Sequence, residues 1–238
     1  MTSLEFVLAS KSPARLHTLR NAGIEPTVRV SHVDEDALLD RLSNPTPSQT
    51  VCTLARAKAL SVAQTLDLTS AIVLVGADSM LQIDGVLQGK PHDPQTARER
   101  WRAMSGRSGV LHTGHALYIS YSAHQVPNPL PTRLPLCHNS SKLGQTVTAE
   151  RRDGGTLLVA HAQTRIMFAH LDDTEIDAYI ETGEPLQVAG GFTVDGLGGA
   201  FIEGIEGDPH SVVGISLPLL RLMCASVGLG WHRLWSCV

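Results

Sequence analysis

The sequence of 238 residues lacks the cysteine spacing of a metal-binding knuckle or a redox motif. Its four cysteines lie at positions 52, 137, 224 and 237, so no Cys-x-x-Cys pair is present and we expect reduced thiols. Basic residues are not in excess either, because the sequence contains 19 Lys and Arg but 23 Asp and Glu. A net charge of −4 argues against a partner that is a nucleic acid polymer, since binding one would need a basic face.

We expect no secretory signal, and the sequence has no run of apolar residues long enough to cross a membrane. No basic region precedes the short apolar stretch at the N-terminus. The most apolar segment, residues 212–222, contains Pro218 and Arg221 and is shorter than the roughly 20 residues of a transmembrane helix. We therefore predict a cytoplasmic protein with no membrane partner.

Strand and helix patterns alternate in the first half of the chain. Residues 4–8 predict an opening strand, followed by a helix with Ser12 as its N-cap and Pro13 in its first turn. Apolar residues recur with the helical period over residues 50–66. Residues 72–75 form a continuous apolar run, which is typical of a strand buried on both faces. This alternation favours a mixed α/β fold.

The middle of the chain predicts two long strands, residues 110–119 and 156–168, with an irregular stretch between them. Residues 121–155 contain four prolines and show little periodicity. We interpret this stretch as a surface-loop excursion and not as a second domain. The prediction is therefore one α/β domain over residues 1–238, with two lobes and a cleft.

The first candidate site residues are Ser10, Ser12 and Arg15, which lie at a strand-to-helix turn. Backbone N–H groups at a helix N-terminus, two hydroxyls and a guanidinium together can bind a phosphate group. The alternative is an ordinary Ser-Pro cap followed by a solvated arginine.

Three charged residues, Lys58, Asp78 and Glu35, are further candidates for the site. Lys58 falls between Leu54 and Val62 in the apolar stripe of its helix, so it either extends out to solvent or is held by an anion at the edge of the core. Asp78 follows the buried strand, where a carboxylate is placed for metal binding or general-base work, although a turn aspartate needs no such role. Glu35 lies in an acidic run that is usually a solvated loop.

Three further motifs carry weaker signals. Lys90 lies in a tight Gly-Lys-Pro turn that lacks the spacing of a Walker A loop. His112 and His115 are three residues apart on a predicted strand and would face opposite sides, so we reject a metal site there. The glycine-rich residues 189–199 lack the strand-then-helix context of a dinucleotide-binding motif.

Taken in order, these segments resemble the Maf (septum formation protein) family over nearly the whole chain. Residues 8–15 are similar to the motif L-A-S-x-S-P-R-R, residues 33–35 to the acidic motif, and residues 55–59 to the A-x-x-K-A helix. Residues 76–79 resemble G-A-D-T and residues 89–91 resemble G-K-P. The remaining matches are residues 104–106, 112–114, 184–199 and 206–214.

The resemblance implies a two-lobed, inosine-triphosphatase-like α/β fold with a central cleft, a divalent cation (Mg²⁺ or Mn²⁺) and a homodimer. It also implies a nucleoside triphosphate pyrophosphatase that converts (d)NTPs, or modified nucleotides, to the monophosphate and pyrophosphate. Asp78 falls on the catalytic proton acceptor, and Glu35 and Asp78 on the metal-binding positions. The substrate-binding positions fall on Ser10, Ser12, Arg15, Lys58, Lys90, Ser79 and Asp195. Water would then attack the α-phosphorus.

Three departures from the family motifs lie at positions that the resemblance marks as determinants of specificity. They are Ala14 in place of arginine, Ser79 in place of threonine and Asp195 in place of glutamine. An ionised carboxylate only accepts hydrogen bonds, so Asp195 predicts a base edge rich in donors, such as that of guanine. The alternative function is a non-catalytic, nucleotide-binding regulator of cell division or septum formation.

Overall fold

The computed structural model describes residues 4–123, 128–134 and 147–236. Its helices are α1 (Pro13–Asn21), α2 (Glu35–Leu39), α3 (Pro47–Ala63), α4 (Pro94–Met104), α5 (Asp173–Glu181), α6 (Pro209–Val213) and α7 (Leu217–Ser226). Its strands are β1 (Glu5–Leu8), β2 (Thr27–Val28), β3 (Ile72–Ile83), β4 (Val86–Gln88), β5 (Ser108–Ser120), β6 (Thr148–Arg152), β7 (Gly155–Phe168) and β8 (Ile202–Glu206). Within these ranges, no helix is long and apolar enough to cross a membrane.

The strands form one mixed sheet in the order β2-β1-β3-β5-β7-β6, with β4 paired to β3 and β8 paired to β7. Strand β1 runs parallel to β2 and β3, and the other pairs are antiparallel. Strands β3, β5 and β7 are 12, 13 and 14 residues long. Because they extend through both lobes, a position in the middle of β3 lies between the lobes.

The core divides along the length of these strands. In the first lobe, apolar side chains of α3 pack on one face of the sheet, and Leu19 of α1 and Leu219 of α7 pack on the other face. In the second lobe, Trp101 of α4 packs with Leu81 and Phe168 at the far ends of β3 and β7. The predicted α/β fold with two lobes is confirmed.

Helix α3 lies unusually close to the sheet, because glycines face it. A Cβ atom on Gly76 of β3 would lie 2.8 Å from the amide nitrogen of Ala59. A Cβ atom on Gly114 of β5 would overlap the carbonyl group of Val51. The helix backbone therefore rests on these two strands, and Lys58 lies one residue before the contact at Ala59.

The structure extends several elements beyond their predicted ends. Helix α3 begins at Pro47, three residues before the predicted start, because Thr46 and Gln49 form a capping box. Strand β3 continues past Val75 to Ile83 and includes Asp78. The acidic run expected to be a loop instead begins α2, with Asp34 as its N-cap.

Part of the stretch interpreted as a surface-loop excursion is a strand of the sheet. Strand β6 lies within residues 121–155 and pairs with the first five residues of β7. The polarity of its five residues alternates too weakly to predict a strand from the sequence. The strand forms because its backbone pairs with the edge of the sheet. Residues 124–127 and 135–146 of the same stretch lie outside the described residues.

The close approach of α3 predicts that Gly114→Ala destabilises the protein. The added methyl group meets backbone atoms of Val51, so the helix must shift, and we expect a loss of about 2–3 kcal/mol in the free energy of unfolding. Gly89→Ala is the control, since its methyl group would make only an ordinary contact, 3.6 Å from Met80 Cε. Urea denaturation measures both variants, and equal stabilities would contradict the tight contact.

Candidate active site

The candidate site lies at a gap in the sheet along one edge of β3. Strand β1 pairs with β3 as far as Val75, and β4 pairs with it from Leu81 onward. Between these residues, no strand within the described parts of the chain covers this edge of β3, and Asp78 lies in the middle of the gap. Ser10 follows the end of β1 and Lys90 follows the end of β4, so both segments end beside the gap.

An ammonium group shared by two carboxylates forms the centre of the site. Lys58 Nζ lies 2.6 Å from Asp78 Oδ1 and 2.9 Å from Glu35 Oε1. The side chains of Lys58 and Asp78 are each 11% exposed, whereas that of Glu35 is 47% exposed. Of the two interpretations of Lys58, the structure therefore supports the one in which an anion holds it at the edge of the core.

The surroundings of Asp78 shift its pKa upward. Burial raises the pKa of this carboxyl group and outweighs the positive charges of Lys58 and Arg15, which lower it, while Glu35 raises it further. A carboxylate with a raised pKa takes up a proton more readily than an exposed aspartate does. This is the property required of a general base, and it is common at functional sites.

Arg15 connects the start of α1 to two distant parts of the chain. Its Nη1 donates to Ser10 Oγ at 3.0 Å, its Nη2 to Ser79 Oγ at 3.3 Å and its Nε to the carbonyl oxygen of Gly214 at 2.8 Å. Burial lowers the pKa of Arg15, and the charges of Asp78 and Glu35 oppose this shift. The guanidinium is thus held at the cleft and is not the solvated arginine of the alternative interpretation.

Ser12 acts as the predicted N-cap, since its Oγ accepts a hydrogen bond from the Arg15 backbone N–H at 3.4 Å. The Ser12 backbone N–H in turn donates to Ser10 Oγ at 3.2 Å. The two serines therefore shape the turn that brings Arg15 to the gap.

Lys90 completes a cluster of positive charge. Partial burial lowers its pKa, the charges of Lys11, Arg15 and Lys58 lower it further, and Glu35 opposes them. Four cations therefore lie near two carboxylates, which leaves an excess of positive charge suited to a polyanion. Lys11 lies in the segment that is similar to L-A-S-x-S-P-R-R, but it was not among the predicted site residues. Its place between two predicted site serines was the available signal.

Asp195 is the predicted site residue that these contacts do not include. It is exposed and lines a separate hollow of about 350 Å³ beside α1 and α6. The other lining residues are His17, Thr18, Asn21, Ala22, His210, Val213 and Leu217. Ala14 precedes Thr18 by one helical turn and lies on the same face of α1. Two of the three departures from the family motifs thus lie along one side of α1.

The two histidines of β5 do not converge, as the strand geometry predicts. His112 contacts His161, with 3.0 Å between His112 Nδ1 and His161 Nε2. His115 instead accepts a hydrogen bond from the Ser216 backbone N–H on the other face of the sheet. Among the described residues there is no group of three or more His, Cys, Asp or Glu side chains that could hold a metal ion.

Comparison with known proteins finds similarity along nearly the whole chain. The family model described as Maf-like protein matches residues 5–133 and 136–227. A protein of Rhodococcus opacus, named nucleoside triphosphate pyrophosphatase, is 49% identical over 99% of this chain and 97% of its own length. Proteins of the same name from Saccharopolyspora erythraea and Corynebacterium efficiens are 48% and 42% identical, each over 98% of this chain and over 97% and 100% of their own lengths.

The buried ion pair predicts a pH-dependent loss of stability in Lys58→Met. Without the ammonium, Asp78 is a buried carboxylate short of a counter-charge, and we expect unfolding at pH 7 to require about 3 kcal/mol less. In the folded variant, the pKa of Asp78 lies further above its unfolded value of about 4 than it does in the unmodified protein. The variant's loss in free energy of unfolding therefore grows as the pH rises above about 4 and shrinks as the pH falls toward it.

Denaturant unfolding at several pH values measures this effect. Arg56→Met is the matched control on the same helix, because the Arg56 side chain is 42% exposed and pairs with Glu150 at the surface. Its loss is expected to be below about 1 kcal/mol. A deficit in Lys58→Met that does not change with pH would contradict the assigned role of Asp78.

Proposed function

This chain belongs to the Maf-like protein family and is a nucleoside triphosphate pyrophosphatase, and we propose that the gap beside Asp78 is where it hydrolyses its substrate. The observation that supports this location most strongly is the buried Lys58, shared between Asp78 and Glu35. A lysine held by two carboxylates at the edge of the core is unusual, and it lies among the other cations of the cluster. The curated relatives favour catalysis over the alternative of a non-catalytic regulator.

In this proposal the cations around the gap hold the triphosphate. Lys90 and Lys11 follow β4 and β1 on the two sides of the gap, and Arg15 reaches it from the start of α1. Their charges offset those of the phosphate groups and stabilise the charge that develops on the leaving pyrophosphate. Lys58 stays bound to Asp78 and keeps its carboxylate oriented.

Asp78 would act as the general base. A water molecule attacks the α-phosphorus, its proton passes to the Asp78 carboxylate, and a P–O bond forms. The bond between the α-phosphorus and the bridging oxygen breaks, and pyrophosphate leaves with the electron pair. The raised pKa of Asp78 makes this proton transfer more favourable than it would be for a solvated aspartate.

Glu35 and Asp78 fit a divalent cation such as Mg²⁺ or Mn²⁺. Lys58 Nζ pairs with one oxygen of each carboxylate, Asp78 Oδ1 and Glu35 Oε1, so the second oxygens would bind a cation beside the ammonium. Mg²⁺ is usually held by one or two carboxylates together with substrate phosphates and water. A bound cation would neutralise charge on the phosphate groups. The homodimer, the cytoplasmic location and the absence of membrane or nucleic acid partners stay predictions.

Asp78→Asn tests the catalytic assignment. The amide cannot accept the proton, so we expect pyrophosphate release to fall by about 10³-fold, while the circular dichroism spectrum stays unchanged. Asp84→Asn is the control, because Asp84 pairs with Arg107 at the surface. Equal rates for Asp78→Asn and the unmodified protein would contradict the role of Asp78.

The same reaction run in ¹⁸O-labelled water identifies the phosphorus that is attacked. Attack at the α-phosphorus places the label in the nucleoside monophosphate, and attack at the β-phosphorus places it in pyrophosphate. Release of orthophosphate with a diphosphate product would show cleavage at the γ-phosphate. Either of the last two outcomes would overturn the proposed mechanism.

We propose Asp195 as a contact of the nucleobase, since it lines the hollow beside α1. Its carboxylate accepts hydrogen bonds only, so kcat/KM should favour guanine over uracil nucleotides. Asp195→Gln adds a donor and should shift this ratio toward uracil by about tenfold, the effect of one hydrogen bond to a charged group. A panel of triphosphates measures the ratio, with the exposed Glu203→Gln as control. An unchanged ratio in Asp195→Gln would show that Asp195 does not contact the nucleobase.

A further inference from the structure

Thr113 is a fully buried residue of β5 to which the proposed mechanism gives no role. Its hydroxyl donates to the carbonyl oxygen of Ser211 at 3.1 Å and lies 3.1 Å from Ser79 Oγ. The register of β3 and β5 pairs Ser79 with Thr113, so both side chains leave the sheet on the same face. Thr113 thus connects the strand that carries Asp78 to helix α6.

The contacts of Thr113 close into a hydrogen-bonded ring that includes Arg15. The carbonyl oxygen of Ser211 also accepts the Gly214 backbone N–H at 3.1 Å. The carbonyl oxygen of Gly214 accepts Arg15 Nε at 2.8 Å, and Arg15 Nη2 returns to Ser79 Oγ at 3.3 Å. Four segments, namely α1, β3, β5 and the end of α6, therefore meet around one ring.

Only one arrangement of hydrogens satisfies this ring. Arginine is a donor only and a carbonyl oxygen is an acceptor only. Because the single hydroxyl hydrogen of Thr113 goes to Ser211, the hydrogen between the two hydroxyls belongs to Ser79. Ser79 therefore accepts from Arg15 and donates to Thr113. Its hydroxyl has no hydrogen left to donate to a substrate, so its function in the ring is to link Arg15 to Thr113.

The hydrogen bonds in the ring and to Ser10 do not use all the N–H donors of Arg15. A guanidinium has five N–H groups, of which one each goes to Gly214, Ser79 and Ser10. The remaining two have no hydrogen-bond partner in residues 4–123, 128–134 or 147–236. Burial lowers the pKa of Arg15, and the charge of the nearby Asp78 opposes this shift. A planar group held at three points keeps its other donors in a fixed direction.

We propose that Thr113 is a positioning residue for triphosphate hydrolysis, which fixes the guanidinium plane of Arg15 through Ser79 and Ser211. The inference rests on the proposed function, because that function gives Arg15 its ligand. A donor group held in place before the substrate arrives stabilises developing charge without having to reorganise. A displacement of about 1 Å in such a group costs about 100-fold in rate.

Thr113→Val tests this role, because valine keeps the shape of threonine and lacks its hydroxyl. We expect kcat to fall tenfold or more and KM to change less than threefold. Thr113→Ser restores the hydroxyl and should recover kcat to within threefold of the unmodified protein. Thr156→Val is the matched control on the neighbouring strand. The Thr156 hydroxyl is buried and has no hydrogen-bond partner among the described residues, so its removal should leave kcat unchanged.

A double-mutant cycle separates positioning from a general loss of structure. If Thr113 acts through Ser79, then adding Thr113→Val to Ser79→Ala should lower kcat by less than a further twofold. If the losses of the two single variants multiply, Thr113 acts independently of Ser79 and the proposal is overturned. A wild-type kcat in Thr113→Val would overturn it as well. Thermal unfolding of every variant checks that each is folded at the assay temperature.

The hydrogen-exchange rate of the Arg15 Nε–H, measured by NMR without nucleotide, reports whether the ring is intact and does not depend on turnover. It should be faster in Thr113→Val than in the unmodified protein and unchanged in Thr156→Val. An unchanged rate in Thr113→Val would contradict the ring. If the unmodified protein released no pyrophosphate while this difference in exchange persisted, the proposed function would fail and the ring would stand.

Discussion

The contact on which the site depends is the burial of one ammonium group between two carboxylates. Placing the Lys58 charge at the edge of the core costs several kcal/mol unless it is paired, and Asp78 and Glu35 provide the pairing. The close contact of α3 with the glycines of β3 and β5 brings Lys58 to this depth. The same burial raises the pKa of Asp78, so one packing arrangement both orients the carboxylate and makes it a better proton acceptor.

The second constraint is the gap at the edge of β3. Neighbouring residues of a strand point to opposite faces, so Asp78 faces α3 and Lys58, while Ser79 faces Arg15 and Thr113. In a continuous sheet these two groups of residues would be separated by the adjoining strand. Since β1 ends before the gap and β4 begins after it, both groups reach the same cleft. The ring around Arg15 and the ion pair of Lys58 can therefore serve one substrate.

Much of the fold was accessible from local patterns, because caps and periodicity are properties of short segments. Ser12 is the N-cap of α1, as predicted, and β5 and β7 lie within two residues of their predicted limits. Strand β6 and helix α2 were missed, since each has five residues and little periodicity of its own. Their formation depends on the edge of the sheet and on the cap at Asp34, and these are contacts that a pattern of polarity does not contain.

By itself, the sequence determined the chemistry available to this protein: the cations, the carboxylates and the order of motifs that marks its family. It also identified Lys58 as a charged residue within the apolar face of its helix. Only the tertiary structure decided which of these groups share a site. Charges attract over a few ångströms, whereas Arg15 and Gly214 are 199 residues apart in the chain. Asp195 lines a hollow beside α1 to which Asp78 does not contribute. The packing of α3 and α6 on the sheet sets those distances, and no local pattern encodes them.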